Sequence, residues 1–438
     1  MKVANILYNS ILNSFVSKLV LYFFQFITLM VSARLFTPAE FGQFVLFQVV
    51  INFFSIITEA GIGPALINEK KISNDLRNAS FSFTFYFGAI CGLIVLIVGW
   101  GVDFHYPEQN YLIVSILVAI SLVFYTANIV PNVEFLIRKK FSHLALFEII
   151  SEVLYLVLIV FLHNYVSGII LIAIKPIVNS SVKFLFCYYR LPVLGVVNLS
   201  FCMNLKSLES IYKYSLFQFL FNLLNFFSRH LDRILVSSSF SIVSLGMYDK
   251  ANQLIRYPLL LSQAVTPAIQ PVMKELKNDL DEFSKIFYSV SKKIFLVGWV
   301  ISILMLLLSE DIVRFILGEQ WLSIIPLFKV LTLIVPIRMM AGSTGAFYQS
   351  SGKVKLLFYI GIVSSFNNIL AVILAISTLE LINLCYFMLI SFYINLVINI
   401  VALSLYVFRL KINRFFKEFG FIFILYFFFC IFIFKNFI

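Results

Sequence analysis

Basic and carboxamide side chains recur inside the long apolar stretches of this chain, where each charge must face other protein groups or water. In the first stretch, Lys18 and Gln25 lie seven residues apart, so a helix would carry both on one face. Two other stretches repeat the pattern: Gln48, Asn52, Ser55 and Glu59 at spacings of four, three and four residues, and Asn222, Asn225 and Arg229 at spacings of three and four residues. Such faces could line a hydrated cavity and bind an anion through charge-assisted hydrogen bonds.

Bases outnumber acids in and at the ends of the apolar stretches, and this surplus favours an anionic ligand such as a phosphate or an acidic sugar. The predicted ligand-binding residues are Lys18, Gln25, Arg34, Asn222, Asn225, Arg229, Arg233, Arg256 and Arg338. The candidates for carrying a proton or a sodium ion are Glu59, Glu152, Asp232 and Asp249. The cysteines and histidines are scattered without metal-ligand spacing, so we expect no metal site, no disulfide and no cofactor.

The elements that carry these residues are predicted to be membrane-spanning helices. The chain is 61% hydrophobic and only 12% charged, far less charge than the surface of a soluble protein of this size needs. About 20 apolar residues suffice for a helix to cross a bilayer. We therefore predict an all-α polytopic membrane protein with spans at 12–33, 41–66, 79–101, 110–132, 144–163, 166–188, 211–236, 247–272, 289–308, 324–348, 354–378 and 382–408, and a thirteenth apolar segment at 419–437.

The charge of the loops indicates how these spans are oriented. Lysines and arginines cluster in every second loop, and the intervening loops are nearly free of them. Because basic loops stay on the cytoplasmic side, we predict that the basic loops and the N-terminus are cytoplasmic. This asymmetry and the attraction to anionic lipids account for the net charge of +12, so we expect no nucleic-acid partner.

The long basic loop near residue 200 divides the twelve spans into two sets of six. This division predicts two six-helix lobes around a central cavity. A weak repeat supports it, because Arg34 precedes Phe41-Gly42 much as Arg233 precedes Leu245-Gly246. The predicted organisation is an N-terminal lobe at 1–190, a cytoplasmic linker at 191–210, a C-terminal lobe at 211–408, and a basic loop with the additional apolar segment at 409–438.

Two structural explanations compete with a binding cavity. In the first explanation, carboxamides and hydroxyls inside membrane helices hydrogen-bond neighbouring helices and hold the bundle together without binding a ligand. Bases near span ends, such as Arg34, Arg233 and Lys183, can extend to the lipid headgroups. Lys18 and Arg229 fit this second explanation less well, because polar residues flank each of them on its own helical face.

Several short motifs, taken in order, resemble the polysaccharide transporter family. Residues 33–42, ARLFTPAEFG, are similar to the arginine, turn and Tyr/Phe-Gly that follow the first span in that family. The best matches are RHLDRIL at 229–235 and LGMYDKANQL at 245–254. Further matches lie at 59–67, 269–272 and 318–321. Over most of its length, the chain resembles Wzx-type flippases of the multidrug/oligosaccharidyl-lipid/polysaccharide exporter superfamily.

The resemblance implies a flippase, not an enzyme, in the bacterial inner membrane. Its substrate would be an undecaprenyl-pyrophosphate-linked repeat unit of O-antigen or capsule, moved from the cytoplasmic to the periplasmic leaflet by alternating access. It also implies contact with membrane lipids and with a polysaccharide polymerase. In that setting Lys18, Arg229, Arg233 and Arg256 would bind the pyrophosphate.

Two other functions stay open. A repeat-unit polymerase or another membrane glycan enzyme would need a catalytic constellation, and none is recognisable in the sequence. A drug exporter of the same fold would favour an acidic site for cationic drugs, which the basic surplus argues against.

Overall fold

The regular segments that the structure describes are helical, mostly α-helical with short 3-10 and π segments. The computed structural model describes residues 2–69, 72–105, 110–138, 140–196, 199–202, 204–276, 279–408 and 416–436, and it contains no β-strand within those ranges. The helices are α1 (Lys2–Leu35), α2 (Pro38–Glu59), α3 (Ile62–Asn68), α4 (Asn74–His105), α5 (Tyr111–Ala127), α6 (Ile129–Ile137), α7 (Phe141–Leu162), α8 (Gly168–Tyr189), α9 (Leu205–Ser239), α10 (Ile242–Glu275), α11 (Leu280–Leu307), α12 (Ser309–Ile316), α13 (Ile325–Thr332), α14 (Val335–Ser350), α15 (Val354–Ile376), α16 (Leu381–Ala402) and α17 (Phe421–Asn436).

The predicted all-α polytopic membrane fold is confirmed. Among the described residues, ten helical segments are long and apolar enough to cross a bilayer. The pair Glu319–Thr332 and Val335–Ser350, bent by 51°, can count as an eleventh crossing. The segment Phe416–Lys435 is one of the ten, so the last apolar run has the length and composition of a span. The total of twelve crossings and a thirteenth segment stays a prediction.

The chain divides into two compact units, Met1–His230 and Leu231–Ile438. The division falls within α9, a helix of 35 residues. The predicted lobe boundaries and the central cavity stay predictions.

In the N-terminal unit, α4 and α5 pack through small residues. A side chain at Gly88 would overlap Thr126, and one at Gly99 would overlap Ser115. Small residues at such positions let the backbones of membrane helices approach closely, where dispersion contacts replace the hydrophobic effect that lipid cannot supply.

The sequence around α2 explains how that helix begins and ends. At its start, Thr37 Oγ1 accepts from the Glu40 amide at 3.3 Å, and Glu40 Oε2 accepts from the Thr37 amide at 2.7 Å. This capping box satisfies amides that have no partner inside the helix. At its end, Ala60 and Gly61 are left-handed, with φ of 46° and 70°. The chain breaks there and restarts as α3.

The segment predicted to be a linker is packed against the N-terminal unit. Leu191, Val196 and Leu199 are buried in a hydrophobic cluster that includes residues of α3, α4 and α6. The amides of Ser200 and Cys202 donate to Asn78 Oδ1 and Ser82 Oγ, at 3.2 and 2.9 Å. These contacts hold the described residues 191–196 and 199–202 against the N-terminal unit.

The last helix, α17, packs inside the C-terminal unit. The rings of Phe295 and Phe423 lie 5.5 Å apart, and those of Trp299 and Tyr426 lie 5.4 Å apart. The additional apolar run is therefore an integrated helix of this unit, held against α11 by aromatic contacts.

Candidate functional site

A polar cavity of about 660 Å³ lies inside the N-terminal unit, among α2, α3, α5, α6 and α8. We call it the carboxamide cavity because five Asn and Gln side chains line it. Its polar lining residues are Gln48, Asn52, Ser55, Glu59, Ser121, Tyr125, Asn128, Asn132, Asn179, Ser180 and Lys183. Its volume lies within the range of about 300–1,000 Å³ that is usual for small-molecule sites.

One wall of the cavity is a single face of α2. Gln48, Asn52, Ser55 and Glu59 follow one another at spacings of four, three and four residues, which places them in one row along the helix. Within the row, Gln48 Nε2 donates to Asn52 Oδ1 at 3.1 Å. Ser55 Oγ donates to the Asn52 carbonyl at 2.8 Å. The polar row in the second predicted span therefore lines a cavity.

The turn after α2 places the first residues of α3 beside the polar face of α2. A side chain at Gly61 would overlap the Ser215 carbonyl of α9, so the turn needs glycine for space as well as for its φ. The Ser215 hydroxyl donates to the Ala60 carbonyl and fastens the turn to α9. Gly63 then lies next to the Glu59 carboxylate at the edge of the cavity.

The opposite walls come from the α5–α6 junction and from α8. Tyr125, Asn128 and Asn132 lie on either side of the junction, and Asn179 follows a proline inside α8. Within the part of the chain that the structure describes, Asn128 Oδ1 and Asn179 Oδ1 are buried and accept no hydrogen bond. A buried oxygen without a donor is costly, so these two atoms are suited to receive a ligand's hydroxyl or N–H group.

Ion pairs neutralise the bases of α8. Lys183 lines the cavity and pairs with Glu148 of α7. About two helical turns before Lys183, Lys175 Nζ lies 3.1 Å from Glu152 Oε2 and 5.4 Å from the centre of the Tyr155 ring. Glu152, a candidate ion carrier, is therefore buried in an ion pair between α7 and α8.

A second polar network lies in the C-terminal unit, where α9 meets α10. Arg233 Nε lies 2.9 Å from Asp249 Oδ1, and Gln253 Nε2 donates to Asp249 Oδ2 at 2.6 Å. The Tyr248 hydroxyl donates to Asp232 Oδ2 at 3.0 Å. Asp232 and Arg233 of the motif RHLDRIL therefore contact Tyr248 and Asp249 of the motif LGMYDKANQL.

The remaining predicted site residues are distributed over several helices. In α9, Asn222 accepts a hydrogen bond from Gln218 Nε2 at 3.0 Å. The Arg338 guanidinium lies over the Phe392 ring, 5.2 Å from its centre. The side chains of Asn225 and Arg229 lie outside the described part of the chain. Exposed or half-buried positions are held by Lys18, Gln25, Arg34 and Arg256.

The carboxamide cavity and the predicted ligand-binding set are thus different groups of residues. Of the predicted residues, Glu59 alone is among the residues that line the cavity as the structure describes it. Tyr125, Asn128 and Asn132 are among the lining residues that were not predicted from the sequence. Their signal was present, since Asn128 and Asn132 lie four residues apart within a predicted span.

Comparison with known proteins identifies the family. The family described as "Polysaccharide biosynthesis protein" matches residues 31–326. The chain belongs to this family. Among its relatives is the teichuronic acid biosynthesis protein TuaB of Bacillus subtilis strain 168, which is 23% identical over 380 residues, 84% of this chain and 75% of TuaB. The resemblance to polysaccharide transporters is confirmed.

Solved structures confirm the fold of this polysaccharide biosynthesis protein. The lipid II flippase MurJ, in an inward closed conformation, aligns with a TM-score of 0.69 and 16% identity, covering 88% of this chain and 86% of MurJ. A multidrug resistance MATE family transporter of the MOP superfamily, facing inward, aligns with a TM-score of 0.66 and 14% identity, covering 86% of this chain and 92% of the transporter. At these identities the likeness is one of fold.

Proposed function

We propose that this protein is a flippase that moves lipid-linked oligosaccharide repeat units across a bacterial inner membrane, from the cytoplasmic to the periplasmic leaflet. One observation carries the proposal: a cavity lined by carboxamides and hydroxyls lies among helices that are apolar enough to span the bilayer. Polar groups at such positions are costly, and they mark substrate pathways in transporters. The family and the transporter-like fold agree with this function.

The cargo we propose is an undecaprenyl-pyrophosphate-linked unit that is assembled into O-antigen or capsule. The pyrophosphate carries negative charge, and the predicted bases Lys18, Arg229 and Arg256 can bind it by charge-assisted hydrogen bonds. Arg233 would join them only by exchanging its ion pair with Asp249 for the pyrophosphate. Arg34 and Arg338 are weaker candidates. Coupling to a proton or sodium ion would use Glu59 or Asp232, and alternating access would expose the cargo to each leaflet in turn.

The test is deletion of the gene in its host, followed by complementation with a plasmid-borne copy. A flippase defect abolishes the surface polysaccharide and leaves single lipid-linked repeat units on the cytoplasmic leaflet, out of reach of a lectin added to spheroplasts. Wild-type protein restores both the surface polysaccharide and the transfer of repeat units out of the cytoplasmic leaflet. The Arg229→Ala variant is expected to restore neither fully at equal protein level, whereas Arg229→Lys keeps the charge and restores more.

The same experiment separates the two other functions. Loss of a polymerase would leave single repeat units that still reach the periplasmic face, where the lectin binds them. Loss of a drug exporter would leave the surface polysaccharide intact and raise sensitivity to cationic drugs. Either result would overturn the flippase proposal.

A further inference from the structure

We infer that the carboxamide cavity is a subsite for an uncharged sugar of the transported unit, and that the pyrophosphate binds outside it. This inference rests on the proposed function, since it assigns a part of the cargo to one cavity. The sequence predicted a hydrated cavity for an anionic ligand, such as a phosphate or an acidic sugar, whereas this cavity suits a neutral ligand.

The first argument is the hydrogen-bonding demand of the cavity wall. The orphaned atoms Asn128 Oδ1 and Asn179 Oδ1 are acceptors, and they need a donor. An ionised phosphate offers only acceptor oxygens, so it would leave both carbonyl groups without a partner. A sugar hydroxyl can donate to a carboxamide oxygen and accept from the neighbouring NH₂ group, and an N-acetyl group offers the same two functions.

The second argument is charge. The cavity wall contains one acid, Glu59, and one base, Lys183, among the residues described as lining it. Lys183 is already paired with Glu148, which leaves no cationic surplus to stabilise a pyrophosphate. The Glu59 carboxylate repels phosphate and uronic acids, whereas it can accept hydrogen bonds from neutral hydroxyl groups.

The third argument is the mixture of surfaces. Apolar side chains such as Ile51, Leu122 and Leu136 line the cavity between the polar groups, and they face it together with the Tyr125 ring. A pyranose ring has the same mixture, because its C–H groups form apolar faces and its hydroxyls form a polar edge. A few placed polar groups on an apolar wall are the usual means by which a site orients a small ligand.

The experiment measures binding of soluble glycosides to the full-length protein in lipid nanodiscs. The probes are the neutral methyl glycosides of glucose, galactose and N-acetylglucosamine, the acidic methyl glucuronide, and sodium pyrophosphate. Saturation-transfer NMR gives an affinity for each glycoside, and pyrophosphate, which has no non-exchangeable proton, is tested as a competitor of the bound glycoside. At least one neutral glycoside is expected to bind saturably, with an affinity reduced at least tenfold by Asn179→Leu and by Asn128→Leu. The matched control Asn383→Leu, at a half-buried position in α16 that does not line the cavity, is expected to bind like the wild type.

The Glu59→Gln variant tests the charge argument. Removal of the carboxylate is expected to raise the affinity for methyl glucuronide at least tenfold, while the neutral glycoside still binds. The inference is overturned if no neutral glycoside binds, if pyrophosphate displaces the glycoside competitively, or if the cavity variants bind like the control. These outcomes leave the flippase proposal standing, because that proposal depends on where the repeat units accumulate after gene deletion.

Discussion

Arg233 near the end of α9 and Asp249 in the second turn of α10 form an ion pair with an N–O distance of 2.9 Å. The side chain of Asp249 is 10% exposed and that of Arg233 is 28% exposed, so the pair is largely shielded from solvent. Gln253 bonds the second carboxylate oxygen at 2.6 Å. The network therefore connects the C-terminal end of α9 to the first turns of α10.

Asp249→Ala is expected to lower the free energy of unfolding by about 1.5–3 kcal/mol, the range for hydrogen bonds to charged groups. The reason is that Arg233 and Gln253 both lose their partner. The measurement is the thermal unfolding midpoint of purified protein in detergent. A double variant with the charges exchanged, Arg233→Asp with Asp249→Arg, is expected to melt above Asp249→Ala. Equal midpoints for Asp249→Ala and wild type would show that the pair contributes nothing to stability.

The membrane fold could be predicted from the sequence because hydropathy is a local property. An apolar run of about 20 residues predicts a membrane-spanning helix whichever helices pack against it in the fold. Polar rows within one helix could be predicted for the same reason, and the row from Gln48 to Glu59 does line a cavity. The break at Ala60–Gly61 lay inside the span predicted at 41–66, and only the left-handed backbone of the structure locates it.

The composition of the site could not be predicted, because its walls come from helices that meet only in the folded unit. Asn128 of the α5–α6 junction and Asn179 of α8 are about 50 residues apart in the chain, and no sequence pattern predicts that they line the same cavity. The pairing of Lys175 with Glu152 and of Lys183 with Glu148 is likewise tertiary. These ion pairs lower the positive charge that a ligand in the carboxamide cavity would meet, and the basic ligand site predicted from the sequence stays a prediction.

Gly61→Ala is expected to destabilise the N-terminal unit by about 1–3 kcal/mol through backbone strain alone. An alanine residue there must adopt a left-handed φ of 70°, and its methyl group would also overlap the Ser215 carbonyl. The matched control is Gly101→Ala, because a methyl group at Gly101 meets no atom within 4 Å and alanine is the better helix former. The readout is the yield and melting temperature of monodisperse protein. If both variants behave alike, the turn after α2 does not require glycine.

Glu134→Ala is expected to be among the most destabilising single changes in the N-terminal unit. The Glu134 side chain is 3% exposed, lies 2.6 Å from Arg77 Nε and also pairs with Arg138. Removing one member of a buried ionic group costs about 3–5 kcal/mol. Here, among the residues that the structure describes, Arg77 and Arg138 would keep only neutral hydrogen-bond partners, such as Asn74 Oδ1 and the Leu194 carbonyl. Glu310→Ala is the control, since Glu310 and Arg314 are more than half exposed and such pairs contribute about 0–1 kcal/mol. Comparable melting temperatures for the two variants would contradict this difference.

The pairing of α15 with α16 is expected to depend on a cluster of asparagines. Asn368 Oδ1 accepts from Asn395 Nδ2 at 2.9 Å and from Ser391 Oγ at 2.8 Å, and Asn367 donates to the same turn of α16. Hydrogen bonds between membrane helices contribute about 0.6 kcal/mol on average, with a maximum near 1.7 kcal/mol. A double-mutant cycle with Asn368→Ala and Asn395→Ala is therefore expected to give a coupling energy in this range.

The control cycle combines Asn368→Ala with Asn383→Ala. Asn383 lies twelve residues before Asn395, which is about 18 Å along α16, and it hydrogen-bonds Glu380 instead. Sites that share no partner are additive within about 0.3–0.5 kcal/mol, so this cycle is expected to show no coupling. Unfolding in a graded series of denaturing detergent gives all the free energies under one set of conditions. Equal coupling in both cycles would mean that the substitutions destabilise the C-terminal unit as a whole. The Asn368–Asn395 hydrogen bond would then not be what holds α15 and α16 together.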